Sequence, residues 1–280
     1  MSLTIPDRVV EALAAARALF VAAGAGMGVD SGLPDFRGTE GFWNAYPPYR
    51  ALGIDFTSMA NPRWFKDDPA LAWGFYGHRL ALYRATRPHR GFALLRRWAA
   101  ATEHGGFAFT SNVDGQFQRA GFGPEQVVEA HGAIEWLQCL AECGEEIFPA
   151  PPEEVTVDPG TMRASGPLPC CPGCGALARP NILMFGDWGW DEARSIAQER
   201  RLRRWLERAA SSRMVIVECG AGTAVPTVRH TCESLAADSG ALLVRLNPRE
   251  PQVPRGEVGI AAGALAALEA IEARLARPRS

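Results

Sequence analysis

The chain has 280 residues, 47% of them hydrophobic, which is enough for one large buried core with a smaller module beside it. With 29 basic against 31 acidic residues, it carries no broad electrostatic footprint for nucleic acid or an anionic membrane. No run approaches the roughly 20 apolar residues that span a bilayer. Asp7, Arg8, Glu11 and Arg17 interrupt any signal-peptide core, so a cytoplasmic protein is expected. In a reducing compartment seven cysteines argue for metal rather than for disulfides.

Val9, Val10, Leu13 and Ala14 stand at helical spacing and predict a helix over 7–18 that covers one face of a sheet. Next comes an apolar, strand-like run, 19–23, which breaks into Gly24-Ala25-Gly26-Met27-Gly28. Glycines at a strand's end let the backbone turn sharply and leave N–H groups free to cradle a phosphate, although ordinary turns share the pattern. The chain continues as Ser31-Gly32-Leu33-Pro34-Asp35-Phe36-Arg37-Gly38 and then Gly41-Phe42-Trp43. This combination resembles the cofactor loop of the sirtuins, the NAD-dependent protein deacylases. The resemblance implies that Gly24, Ala25, Gly26, Met27, Asp35, Phe36, Arg37 and Trp43 contact NAD.

From Asn61 to Trp98 the pattern is helical and aromatic, and most of its rings read as core. Within it, Tyr76 and Arg79 share a helix face. Taken alone, they are equally a core tyrosine with a snorkelling arginine. The segment resembles the wall of the sirtuin acyl-lysine tunnel, where a tyrosine and an arginine so spaced meet the carboxylate of an acidic acyl group. A guanidinium fork suits that task because it binds a carboxylate bidentately.

Residues 107–110 read as a buried strand ending in Ser111-Asn112-Val113-Asp114-Gly115, which alone is as well a turn. This run resembles the sirtuin TQNID motif, with Ser111 in place of glutamine. The match implies that Ser111, Asn112, Val113 and Asp114 hold the nicotinamide end of NAD and that Asn112 takes part in catalysis. Glu129-Ala130-His131-Gly132 is similar to the family's ExHG. That likeness singles out His131 as general base among five histidines, a role that an unperturbed imidazole pKa suits.

Two close cysteine pairs follow, Cys139 with Cys143 and Cys171 with Cys174. They read as a structural four-thiolate zinc ribbon, with Cys170 as a rival for the third position. Cys219 and Cys232 read as inert core thiols. The stretch from Arg179-Pro180 to Phe185-Gly186-Asp187 resembles the sirtuin exit from the zinc module. There the Phe-Gly-acid segment (Phe185, Gly186 and Asp187 here) pairs with an extended substrate backbone, a mode that tolerates many sequences. Trp188-Gly189-Trp190 replaces the family's polar continuation. Arg200, Arg201, Arg203 and Arg204 are interspersed with Glu199 and Glu207 and read as a solvated helix face rather than a nucleic-acid site.

A strand over 213–219 opens into Gly220-Ala221-Gly222-Thr223-Ala224-Val225, and another over 241–246 ends at Asn247-Pro248. By resemblance Gly220, Ala221, Gly222, Val225, Asn247 and Pro248 contact phosphate or adenosine, and Ala261 lies by the adenine. The stretch 258–275 is expected to be one amphipathic helix.

Repeated strand, polar strand end and helix predict an α/β protein, a Rossmann-like doubly wound parallel sheet with a smaller inserted helical and zinc-ribbon module. Residues 1–36, 84–132 and 184–280 form the expected large NAD-binding domain, and 37–83 with 133–183 the small one. The resemblance covers roughly residues 18–265. It implies an NAD-dependent deacylase acting on acylated lysine in a protein or peptide, a deacetylase or an enzyme preferring succinyl or malonyl groups, with NAD and zinc bound. Gly28 lacks the hydroxyl of the family's first serine. The rivals are therefore an ADP-ribosyltransferase or NAD hydrolase, and an NAD-binding regulatory module with little catalysis. Neither a nucleic-acid nor a membrane partner is expected, and the oligomeric state is not legible.

Overall fold

Leu19-Phe20-Val21-Ala22-Ala23 is apolar at every position, a run suited to a strand with helices on both faces. The computed structural model, which describes residues 3–34 and 39–277, places it there. The strands are β1 (Ala18–Ala23), β2 (Gly106–Thr110), β3 (Val127–Glu129), β4 (Gly132–Cys139), β5 (Phe148–Pro149), β6 (Thr156–Asp158), β7 (Arg163–Ser165), β8 (Ala178–Ile182), β9 (Met214–Cys219), β10 (Leu242–Leu246) and β11 (Val258–Ile260). Six of them form a parallel sheet in the order β11-β10-β9-β1-β2-β3. The chain builds outward from β1 to β3, then returns to the other side of β1. This is the doubly wound order, and the carboxyl ends of β1 and β9 flank the switch point where such sheets bind ligands.

Alternate residues of β1 face opposite layers. Leu19 and Val21 pack with Val9, Leu95, Leu268 and Ile271, from the helices Asp7–Ala14, Arg90–Ala101 and Ala264–Leu275. Phe20 and Ala22 pack with Leu202, Trp205 and Val228, from the helices Ala193–Ala209 and Thr227–Ser239. The expected single helix over 258–275 is corrected. Val258 and Ile260 form the sheet's edge strand against Val244 and Leu246, and the helix begins only at Ala264, with extended Gly263 at its N-cap. Branched side chains fit the pleat better than a helix's first turn.

A separate core gathers Phe42, Tyr46, Tyr49, Phe65, Trp73, Phe75 and Tyr76 against Leu137, Ala178 and Ile182. Its centre is the helix Pro69–Ala85, whose first turn is capped by Asp68 accepting from the Leu71 N–H at 3.2 Å. β4 pairs antiparallel with β5 and β8, and β6 pairs antiparallel with β7. No helix among the described residues is long and apolar enough to cross a membrane.

Candidate active site and metal centre

The loop after β1 and the loop after β9 touch backbone to backbone. The Gly26 N–H donates to the Gly220 carbonyl at 3.0 Å, and the Gly24 N–H donates to the Cys219 carbonyl at 3.0 Å. Gly220 has φ +63, and a Cβ there would lie 2.4 Å from the Gly26 carbonyl carbon. Any side chain would push the two loops apart, which is the physical reason for glycine. Between the loops, β2 and the β3–β4 junction opens a cavity of about 1150 Å³, a volume suited to a ligand larger than most drug-sized molecules.

Gly24, Ala25, Ser111, Asn112, Val113, Asp114, His131, Ala221, Gly222 and Val225 line it, as do Tyr76, Arg79, Phe185, Gly186 and Asp187. Fifteen sequence-predicted residues thus meet around one cavity. Gly26 and Gly220 lie beneath the wall, as the contact that sets its shape. Asp35, Phe36 and Arg37 lie outside the described residues.

Five expected ligands stand elsewhere. Trp43 donates its indole N–H to the Ile54 carbonyl at 2.8 Å and packs on the aromatic core. Met27 is buried on the α/β core side, with its carbonyl 3.0 Å from His89 Nε2. Asn247 is buried too. It donates to the Ala221 carbonyl at 2.8 Å and accepts from the N–H groups of Arg249 and Glu250, so it shapes the wall from behind. Pro248 and Ala261 are likewise absent from the lining. Conversely Phe56, Tyr83, Arg249 and Glu250 line the cavity and were not foreseen. Tyr83, four residues beyond Arg79 on one helix, was legible from spacing. The rest come from a short helix, Phe56–Met59, and a loop after β10, both remote in sequence.

At the cavity floor, Asn112 donates to the Gly24 carbonyl at 3.0 Å, tying the β2 end to the glycine loop. Asp114 is buried, and desolvation pushes its carboxyl up to about 6 although the Gln116 N–H donates to it at 2.9 Å. A Cβ at Gly28 would stand 3.0 Å from Leu33 and 3.7 Å from Asp114 Oδ2, so Leu33 fills the space a residue-28 side chain would need. His131 is held between β3 and β4, where burial lowers its pKa while a backbone hydrogen bond with Ser111 raises it. The following Gly132 has φ +76, and a Cβ there would fall 2.0 Å from the Asn181 carbonyl oxygen. The glycine of the His-Gly pair therefore lets β4 start against β8.

At the opposite end Arg79 is buried, with its guanidinium 5.1 Å from the Phe75 ring centroid and its Nε 3.1 Å from the Tyr83 hydroxyl. The Tyr76 hydroxyl is buried with no hydrogen-bond partner among the described residues. Phe185 and Asp187 have polar groups engaged by neighbouring elements. The Phe185 N–H donates to the Ala60 carbonyl at 2.9 Å, its carbonyl accepts from Asn61 at 3.0 Å, and Asp187 pairs with buried Arg179 at 2.6 Å. The expected pairing of this segment with a substrate backbone thus finds the Phe185 N–H already engaged. Trp188 is 99% exposed on the rim.

Away from the cavity, the sulfur atoms of Cys139, Cys143, Cys171 and Cys174 lie within 4.8 Å of one another, with the pairs Cys139–Cys174 and Cys143–Cys171 each at 3.6 Å. Tetrahedral thiolates about 2.3 Å from zinc have sulfur separations close to these. Burial raises the Cys139 thiol, but the N–H groups of Cys143 and Ala141 outweigh it and bring it to about 7. Cys174 is pushed up to about 12: its neighbours' sulfurs outweigh the favourable Ala176 N–H. Four thiolates so close need a cation to ionise together, and the donor set fits zinc. Cys170 points its sulfur to the Leu168 carbonyl and is not in the group. Cys219 and Cys232 are buried, and burial raises both thiols.

A doubly wound sheet, a glycine-walled cavity at its switch point and a four-thiol module define a nucleotide-binding α/β protein with a structural metal site. The model of the Sir2 family matches residues 24–212. The chain is 33% identical over 245 residues to NAD-dependent protein deacylase 1 of Pseudomonas aeruginosa, covering 86% of this chain and 87% of that protein. It is also 33% identical over 241 residues to NAD-dependent protein deacylase 2 of Pyrobaculum aerophilum, covering 85% and 83%. A solved structure of a Sir2 homologue in complex with NAD superposes with a TM-score of 0.74 at 23% identity, covering 98% of this chain and 95% of that one. The chain belongs to the Sir2 family.

Proposed function

We propose that this protein is an NAD-dependent protein-lysine deacylase of the cytoplasm. The observation that carries the reading is one cavity that joins the glycine loop, Asn112, Asp114 and His131 at one end to Tyr76 and Arg79 at the other. Residues 1–36, 84–132 and 184–280 form its cofactor-binding domain, and 37–83 with 133–183 its smaller module. Gly24, Ala25, Ala221 and Gly222 offer backbone to the pyrophosphate, and Asn112 and Asp114 hold the nicotinamide end. Bound NAD would supply an activated ribosyl carbon, with nicotinamide as leaving group, to the carbonyl oxygen of an acyl-lysine. His131 takes a ribose hydroxyl proton at Nε2, being kept neutral by burial, and the walls hold ribose and amide in near-attack geometry. Zinc acts on the fold, since its ligands stand outside the cavity.

The unpartnered Tyr76 hydroxyl beside the Arg79 guanidinium supports a preference for acidic acyl groups such as succinyl or malonyl. A carboxylate would accept from both, whereas an acetyl group would leave the phenol unpaired. Mass spectrometry of products from NAD and an acyl-lysine peptide tests the reading. Acyl-ADP-ribose with free lysine is the expected result. Protein-linked ADP-ribose, ADP-ribose alone or no turnover would each replace it by transfer, NAD hydrolysis or a regulatory role.

A further inference from the structure

His131 Nε2 lies 3.2 Å from the hydroxyl of Thr227, which belongs to an element 96 residues further along the chain. Thr227 opens the helix Thr227–Ser239, directly after the loop whose residues Ala221–Val225 line the cavity, and Pro226 forms the N-cap. Its place is fixed from both sides: the Thr227 carbonyl accepts from the Thr231 hydroxyl at 2.9 Å, and Val228 beside it is buried in the sheet's core. The threonine hydroxyl is therefore carried by rigid backbone, which suits it to orienting a partner.

The other contact of the imidazole is the backbone hydrogen bond with Ser111 that raises its pKa. A backbone group that stabilises the protonated ring is a carbonyl accepting a ring N–H, so Nδ1 carries the proton. In the neutral ring Nε2 then has its lone pair available, and the Thr227 hydroxyl donates to it. When Nε2 gains a proton, the same hydroxyl can rotate and accept from it. Ser111 alone leaves the ring free to turn about its bond to Cβ. Two contacts on opposite nitrogens remove that freedom.

We propose that Thr227 is a positioning residue for His131: its hydroxyl holds the imidazole plane and the direction of the Nε2 lone pair in the substrate-free site, and the ribose hydroxyl takes its place at Nε2 when the cofactor binds. The proposal rests on His131 acting as the base, as set out above. Through this contact the cofactor-lining loop after β9 and the base at the β3–β4 junction are set by one hydrogen bond, so loop position and base orientation are linked.

The test compares Thr227→Val, which keeps the shape and removes the hydroxyl, with Thr227→Ser, which keeps the hydroxyl. With NAD and an acyl-lysine peptide, Thr227→Val is expected to lower kcat roughly tenfold, the scale on which orienting partners of a functional imidazole act. KM for both substrates should stay unchanged, and Thr227→Ser should recover most of the rate. Nitrogen-15 spectra of the histidines in the substrate-free protein provide an arm that needs no turnover. The His131 Nε2 resonance should move toward that of an unbonded ring nitrogen in Thr227→Val and stay in place in Thr227→Ser. An unmoved resonance in Thr227→Val overturns the proposal even if the wild type proves not to be a deacylase. A moved resonance with wild-type kcat, or a serine variant as slow as the valine one, also overturns it.

Discussion

Asp114→Asn is expected to stabilise this protein at alkaline pH and to leave it unchanged in acid. The wild-type carboxyl is buried and pushed up to about 6, from the ordinary 3.8, by desolvation. Because the folded-state value lies above the unfolded one, the folded protein binds the extra proton between them, and stability falls as pH rises through that window. The gap corresponds to roughly 3 kcal/mol, fully felt above about pH 7 and absent below about pH 3. Asparagine keeps the acceptor for the Gln116 N–H at 2.9 Å and removes only the charge. Urea unfolding at about pH 8 should therefore favour the variant by up to about 3 kcal/mol, with the two curves converging at about pH 3. A difference of the same size and sign at both pH values would refute the argument, because it would mean that packing or hydrogen bonding, not ionisation, separates the two proteins.

Three further outcomes are expected. His131→Ala should cut deacylation by about 10²-fold or more while NAD affinity, measured by calorimetry, is retained, since the base acts after the cofactor is held; unchanged product formation would remove the role. Elemental analysis should find one zinc per chain, and Cys139→Ala with Cys143→Ala should release it and lower the thermal stability of the protein; full occupancy in that variant would show the first pair misassigned. Arg79→Met should lower the rate ratio of succinyl- to acetyl-lysine versions of one peptide, and an unchanged ratio would withdraw the acidic-acyl reading while leaving the deacylase one standing.

What the sequence made legible is what short spacings encode. The glycine loop, the Asn112–Asp114 turn, the His-Gly pair and the two cysteine pairs are each local, and the fold gathers Gly24, Ala25, Asn112, Asp114 and His131 around one cavity and the four cysteines at one centre. Burial is not local. Trp43 and Asn247 stand within motif-like runs, yet the structure turns one toward the Ile54 carbonyl and the other behind the wall to the Ala221 carbonyl. Val258–Ile260 leads directly into an alanine-rich stretch, but the open edge of β10 recruited it as a strand. Partners of functional groups are the least legible of all, because Thr227 and His131 meet only once the sheet is wound.

The same winding links the two ends of the cavity. Arg79 lies among the charges acting on Asp114, lowering its pKa against the larger effect of burial, and Asp114 in turn raises that of Tyr83, whose hydroxyl receives the Arg79 Nε hydrogen bond. A carboxylate docked on Arg79 would neutralise that cation and leave burial less opposed at Asp114. An acidic acyl group would then favour the protonated carboxyl at the nicotinamide end, while a neutral acyl group would leave the Arg79 charge in place. On this argument substrate choice and the protonation of the cofactor wall are not separate properties of the site. Both are set by charges that share one cavity with buried walls, where electrostatic effects are larger than in water.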